Sequence, residues 1–190
     1  RLEQLEETLQ ILKVMCSQAS PSFSGKHFKI QEAYNNPRPV QPRLPVMLGG
    51  SGTGLLRIAA READIINIIP PTGNGRDFVN DKEATLRFTM AKLESRIDVL
   101  HTFMDEIGRP RDEIEIGGLC LAALSENEND QVFEGLASQL GFSSVQEAKN
   151  SPVALMGTPE QVRDELEKRY SRTGMSYYIL FMAGPETQTM

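Results

Sequence analysis

One stretch constrains the fold more than any other: Leu44-Pro-Val-Met-Leu-Gly-Gly-Ser-Gly-Thr-Gly-Leu-Leu-Arg-Ile-Ala-Ala-Arg-Glu-Ala-Asp64. It reads as a short apolar strand, a glycine-dense turn and a helix, with an Ala-Asp step leading into a second apolar strand. That order sets free backbone N–H groups at a helix N-terminus, just past the end of a strand. Such a place attracts a phosphate, because the donors are unpaired and the helix dipole favours an anion. Gly49, Gly50 and Gly52 allow a sharp turn and close backbone approach, and Ser51 and Thr53 add hydroxyls. The expected cofactor-binding residues are therefore Gly49, Gly50, Ser51, Gly52 and Thr53, with a tight strand-to-helix turn as the plainer alternative. The turn is not a Walker loop, since no Gly-Lys-Ser/Thr follows. It also lacks the GxGxxG spacing, and Asp64 comes too early to hold a ribose.

Around this unit the pattern alternates strand and helix. Leu2, Leu5, Leu9, Leu12 and Met15 predict an amphipathic helix over 2–16. Phe23 to Ile30 suggests a hairpin with Ser24-Gly25-Lys26 at its tip, and Pro37, Pro39, Pro42 and Pro45 an extended connection; together they fill residues 20–44. Ile65-Ile-Asn-Ile-Ile69 fits a strand covered on both faces. Residues 70–85 read as an insertion loop at a strand end, and 86–107 as one helix. Ile114–Leu124 reads as a strand, irregular at Gly117-Gly118. Val132, Leu136 and Leu140 mark a further helix. Thr158 and Pro159 open another that Gly174 closes, and 177–182 form the last strand. About four parallel strands with crossover helices are expected, in an α/β fold. The helical pattern begins at Arg1 without a capping residue, which suggests a chain cut close to a helix start. A whole eight-stranded barrel needs about 250 residues. A (β/α)8 barrel present as its C-terminal portion, spanning 1–190 as one domain, is the expectation.

Composition narrows the partners. The formal net charge of -6 speaks against a general nucleic-acid surface. No run approaches about eighteen apolar residues, so no membrane span is expected. Cys16 and Cys120 lack a CxxC context and read as free thiols, which with the absence of a signal segment favours a cytoplasmic setting.

Few side chains suggest chemistry. Asn67 interrupts an apolar strand, and a buried amide needs partners, either internal or from a ligand. Arg76, in the loop after that strand, is a weaker candidate for substrate or cofactor contact. His27 and His101 are far apart in sequence with no ligand spacing, and Glu126-Asn-Glu-Asn-Asp130 fits no calcium loop, so no metal site is expected. Asp64 reads as a turn or capping residue. No general acid or base stands out, and the catalytic residues are left unassigned.

Several segments, in order, resemble the bacterial-luciferase-like superfamily and its deazaflavin (F420)-dependent oxidoreductases: Leu5–Met15, Phe23-Ser-Gly-Lys-His-Phe28, Pro37-Arg-Pro-Val-Gln-Pro42, Pro45–Gly52, Leu56–Asp64 and Met156-Gly-Thr-Pro-Glu-Gln-Val162. The resemblance implies a TIM-like barrel with F420 bound at its C-terminal face, Gly49, Gly50, Ser51 and Gly52 contributing to the phosphate site. It implies hydride transfer to or from a small organic substrate, with the cofactor carrying the reaction, and a homodimer. An FMN-dependent monooxygenase using reduced flavin and oxygen is the alternative within the superfamily. A non-catalytic α/β scaffold or interaction fragment is the alternative outside it. The chain departs from the family where Ala63-Asp-Ile-Ile66 replaces Ala-Asp-Gly-Trp.

Overall fold

The fold is known from a computed structural model, and residues 1–72 and 81–182 are described. Helix α1 (Leu2–Ser17) leads into a hairpin of β1 (Phe23–Ser24) and β2 (Lys29–Ile30). The Glu7 carboxylate on α1 accepts the N–H groups of Lys26, His27 and Phe28 at the hairpin turn. Gly25 gives this carboxylate room, since a Cβ there would sit 2.3 Å from it and push it aside. Of the expected apolar stripe on α1, Leu9 is buried, whereas Leu2 and Leu12 remain exposed.

The extended connection, with a cis Asn36–Pro37 bond, delivers β3 (Met47–Gly49). Then come α2 (Thr53–Glu62), β4 (Ile65–Asn67), α3 (Lys82–Arg87), α4 (Met90–Glu106), β5 (Glu115–Leu124), α5 (Gln131–Leu140) and α6 (Val145–Lys149). The chain continues through β6 (Ala154–Gly157), α7 (Pro159–Thr173) and β7 (Met175–Met182). Strands β3 to β7 form one five-stranded sheet in which every pairing is parallel. β7 lies along one edge of β5; β4 pairs with the start and β6 with the end of the other edge. The described strands thus make an all-parallel partial sheet with crossover helices, as expected for part of a (β/α)8 fold.

The sequence expectation needs four adjustments. The sheet has a fifth strand, β6, which is only four residues long and buried throughout, too short to declare itself by pattern. The insertion loop expected at 70–85 ends early, because Asp81 accepts the Ala84 N–H and starts α3 at Lys82. The helix expected over 86–107 is interrupted at Phe88-Thr89, and the Thr89 hydroxyl caps a new helix, α4, by accepting the Lys92 N–H. The irregularity expected at Gly117-Gly118 falls one step earlier. Ile116 pairs with Met175 and Gly117 with Tyr177, so Ser176 is the extra residue of a bulge on β7. The caps of α7 follow the sequence reading: Thr158 and Gln161 form a capping box, and Gly174 takes φ 71°.

Register assigns each face of the sheet. Leu48, Ile66, Ile116 and Met175 form one row across four strands and are all buried. The adjacent row is Gly49, Asn67, Gly117 and Tyr177. Since side chains alternate, this second row belongs to the opposite face. The small residues Ala59, Ala60 and Ala63 are completely buried in the core around α2. Arg109 closes the C-terminal end of α2 by donating to the carbonyls of Ala60 (3.0 Å) and Ala63 (2.9 Å).

The largest fully buried side chain is Arg169 of α7. It donates to the carbonyls of Ser151 (3.1 Å), Pro152 (3.2 Å) and Ala154 (2.8 Å), and to Glu165 Oε1 (2.8 Å). The guanidinium thus satisfies the irregular backbone that leads into β6. Cys120 and Cys16 are free thiols, and burial pushes the Cys120 thiol up while the neighbouring Arg169 charge works against it.

Candidate functional site

The turn between β3 and α2 is built as the strand–turn–helix pattern demands. Gly52 is the N-cap of α2, and no side chain caps the helix, so its first N–H groups have no local acceptor from a capping residue. Gly50 takes φ +141°, and a Cβ there would lie 2.4 Å from Leu55 Cδ2. Its N–H donates to the Asn67 carbonyl at 2.9 Å, which ties the turn to the end of β4. A Cβ at Gly49 or Gly52 would meet nothing within 4 Å, so the outer surface of the turn is open to a ligand. Gly54 has a different role: the Leu2 side chain of α1 packs against it.

Polar groups without partners gather at this turn. Ser51 is 6% exposed and its hydroxyl oxygen has no hydrogen-bond partner. Asn67, also 6% exposed, carries an unpartnered Oδ1. It is the last residue of β4, next to Gly49 on one side and Gly117 on the other. Gly49 leaves space on one side of this amide, whereas on the other side Tyr177 packs against Gly117. Buried polar atoms are nearly always paired, so the unpartnered Ser51 hydroxyl and Asn67 Oδ1 single out this turn as a candidate binding place.

A third group arrives from α4. Arg96 Nη2 donates to Thr53 Oγ1 at 3.0 Å, and Arg96 Nε is buried and unpartnered. Arg57 lies 4.0 Å over the Phe103 ring and pairs with Glu106, and Arg109 reaches Ala60, so α2 and α4 advance side by side in the same direction. That alignment is what brings Arg96 to the start of α2. Sequence reasoning passed over Arg96. The available signal was its spacing, three residues after Leu93 and four before Leu100, at the margin of the buried stripe of α4.

The remaining candidates separate from the turn. Arg76 lies outside the described residues. Asp64 is structural: its carboxylate accepts the Val46 N–H at 2.7 Å and pairs with Arg43, pinning the start of β3. His101 sits on α4, where burial lowers its pKa. A cavity of about 510 Å³ opens at the opposite end of the sheet, near the starts of β5 and β7, but its Glu94 and Arg172 are already paired with each other. Tyr178 is half-buried in a cluster with Cys120 and Leu155; its hydroxyl has no partner, and burial pushes its pKa up to about 12. One residue from Tyr177 along the strand, it points to the face away from Asn67. No group of His, Cys, Asp and Glu suited to a metal ion occurs among the described residues.

The residues that build the turn, Asn67 and Arg96 all lie within 1–131, the part of the chain that matches the luciferase-like monooxygenase family model. The chain belongs to that family. Solved structures agree on the fold. The chain is similar to an F420-dependent secondary alcohol dehydrogenase held with an F420–acetone adduct, at 14% identity and TM-score 0.66, covering 95% of this chain and 56% of that one. It is similar to the monooxygenase RslO1 from Streptomyces bottropensis, at 17% identity and TM-score 0.62, covering 95% and 54%. It is also similar to the riboflavin lyase RcaE with modified FMN and riboflavin, at 11% identity and TM-score 0.66, covering 95% and 53%. This member of the family therefore spans little more than half the length of those relatives. The fold is shared by proteins that use F420 and by one that holds an FMN.

Proposed function

We propose that this chain carries the phosphate-binding part of an F420-dependent oxidoreductase, with Gly49, Gly50, Ser51, Gly52 and Thr53 holding the cofactor phosphate. The observation that carries the reading is the buried, unpartnered Ser51 hydroxyl directly before the uncapped N-terminus of α2. A phosphate there accepts from the Ser51 hydroxyl and the first N–H groups of α2 while the helix dipole favours its charge. Asn67 offers an acceptor at the strand end, beside the open space at Gly49. F420 supplies hydride transfer when bound; the chain's own part is to anchor and orient it. The substrate in this reading is a small organic molecule and the assembly a homodimer, the latter checked by sedimentation of the protein.

FMN in a monooxygenase is the second reading, favoured by the family match itself. Fluorescence titration with F420 and with FMN separates the two. Preferential F420 binding supports the oxidoreductase, and FMN preference supports the monooxygenase. Binding of neither, in protein whose circular dichroism shows the α/β fold, overturns both and leaves an α/β scaffold.

A further inference from the structure

We infer that Arg96 is the fixed counter-charge for the phosphate at the Gly49–Thr53 turn, a binding residue contributed by α4 rather than by the turn itself. The inference rests on the phosphate reading above and adds the group that supplies positive charge to it.

The first observation is position. The Arg96 guanidinium touches Thr53, the first residue of α2, at 3.0 Å. It stands one hydroxyl away from the N–H groups that face the open side of the turn. Thr53 itself is exposed, so a ligand reaches this hydroxyl from solvent.

The second observation is the lack of a counter-anion. Among the described residues no carboxylate forms a salt bridge with Arg96. Of its acidic neighbours on α4, Glu94 is engaged by Arg172, and Asp98, two positions on, makes no ion pair among the described residues. Most of the other described arginines contact a carboxylate, as Arg57, Arg61, Arg109, Arg111, Arg163 and Arg172 do. Arg96 is half-buried, and its Nε is fully buried and unbonded. A half-buried guanidinium whose partner among the described residues is a neutral hydroxyl keeps donors in reserve. A planar guanidinium matches phosphate oxygens with two parallel hydrogen bonds, which a hydroxyl cannot use.

The third observation is convergence. Ser51 and Arg96 come from the turn and from α4, and each has an unpartnered buried polar atom. Ser51 and Arg96 offer donors beside the same helix N-terminus. The dipole and backbone donors recognise an anion without fixing its orientation; a guanidinium from the side fixes both charge and direction. The ligand class is a flavin or deazaflavin tail bearing a phosphate monoester or diester.

The test compares ligands that differ by the phosphate: FMN against riboflavin, and F420 against the deazaflavin ribityl compound that lacks the phosphodiester. Affinities are measured for the wild-type protein, Arg96→Gln and Arg96→Lys. In Arg96→Gln the phosphate-bearing ligand is expected to weaken by about 10- to 100-fold, as for loss of a charge-assisted hydrogen bond. The phosphate-free ligand is expected to stay within about twofold. Arg96→Lys keeps the charge but loses the fork, and an intermediate loss is expected, again confined to the phosphate-bearing ligand. Should Arg96→Gln fail to fold, the Lys variant carries the test alone. A full phosphate preference in a folded Arg96 variant overturns the inference and leaves the turn as phosphate site. No phosphate preference in the wild-type protein for either pair overturns the phosphate reading as well.

Discussion

Replacing Arg169 by methionine tests the packing that carries β6. The guanidinium serves the carbonyls of Ser151, Pro152 and Ala154 and the Glu165 carboxylate. Methionine fills the aliphatic part of the volume and supplies no donor. Pro152 keeps a partner, because the Cys120 thiol also donates to it at 3.2 Å. Glu165 is about a quarter exposed and is re-solvated. The Ser151 and Ala154 carbonyls lose the guanidinium donor, at about 1–3 kcal/mol for each buried orphan. Methionine avoids the desolvation of a buried cation, which offsets part of that cost. A net loss of about 2–4 kcal/mol is expected. For a chain of this size it lowers Tm by roughly 5–15 °C. The assay is urea and thermal unfolding followed by circular dichroism, with hydrogen exchange at residues 154–157 as the local readout. Arg163→Met is the control: Arg163 pairs with Asp164 at the surface, and no measurable change in stability is expected. A loss below about 1 kcal/mol for Arg169→Met, with unchanged exchange in β6, would refute the reasoning.

Other outcomes are expected at the turn and the hairpin. Ser51→Ala removes a buried hydroxyl that has no partner, so the ligand-free protein is expected to gain stability, by up to about 1–2 kcal/mol, while cofactor affinity falls; a stabilised variant with full affinity would place the phosphate elsewhere. Gly50→Val forces a branched side chain into φ +141° and against Leu55, and is expected to cost about 2–5 kcal/mol and weaken cofactor binding; unchanged affinity in folded protein would remove Gly50 from the site. Glu3 is held down to about 2 by hydrogen bonds from Lys26 and His27. In Glu7 desolvation opposes ionisation, yet the N–H groups of His27, Phe28 and Lys26 outweigh it and lower the pKa. Both folded values lie below the unfolded one, so their contribution is present above the ordinary 4.5 and is lost as pH falls toward about 2. The amide resonances of Lys26, His27 and Phe28 should therefore move in that window, and their constancy would show that the carboxylates do not hold the hairpin.

What the sequence determined by itself is local. The step from apolar run to glycines to helix specified β3, the turn and α2, because strand period, glycine freedom and helix period are all encoded within twenty residues. Thr158, Pro159 and Gly174 bounded α7 for the same reason: a cap is satisfied by the chain a few residues away. The same local rules existed at Asp81 and Thr89, but the apolar period running through Phe88, Leu93 and Ile97 masked the break between α3 and α4. Asn67 was legible only as a polar residue in an apolar strand. That it stands between Gly49 and Gly117, with an unpartnered oxygen, depends on the register of three strands. Arg96 meets Thr53 across 43 positions, and Arg169 meets Cys120 across 49, through packing that no local pattern records. The helix N-terminus proposed to hold a phosphate is written in the local sequence, whereas the Arg96 guanidinium beside it comes from a distant helix and is placed only when the two helices align.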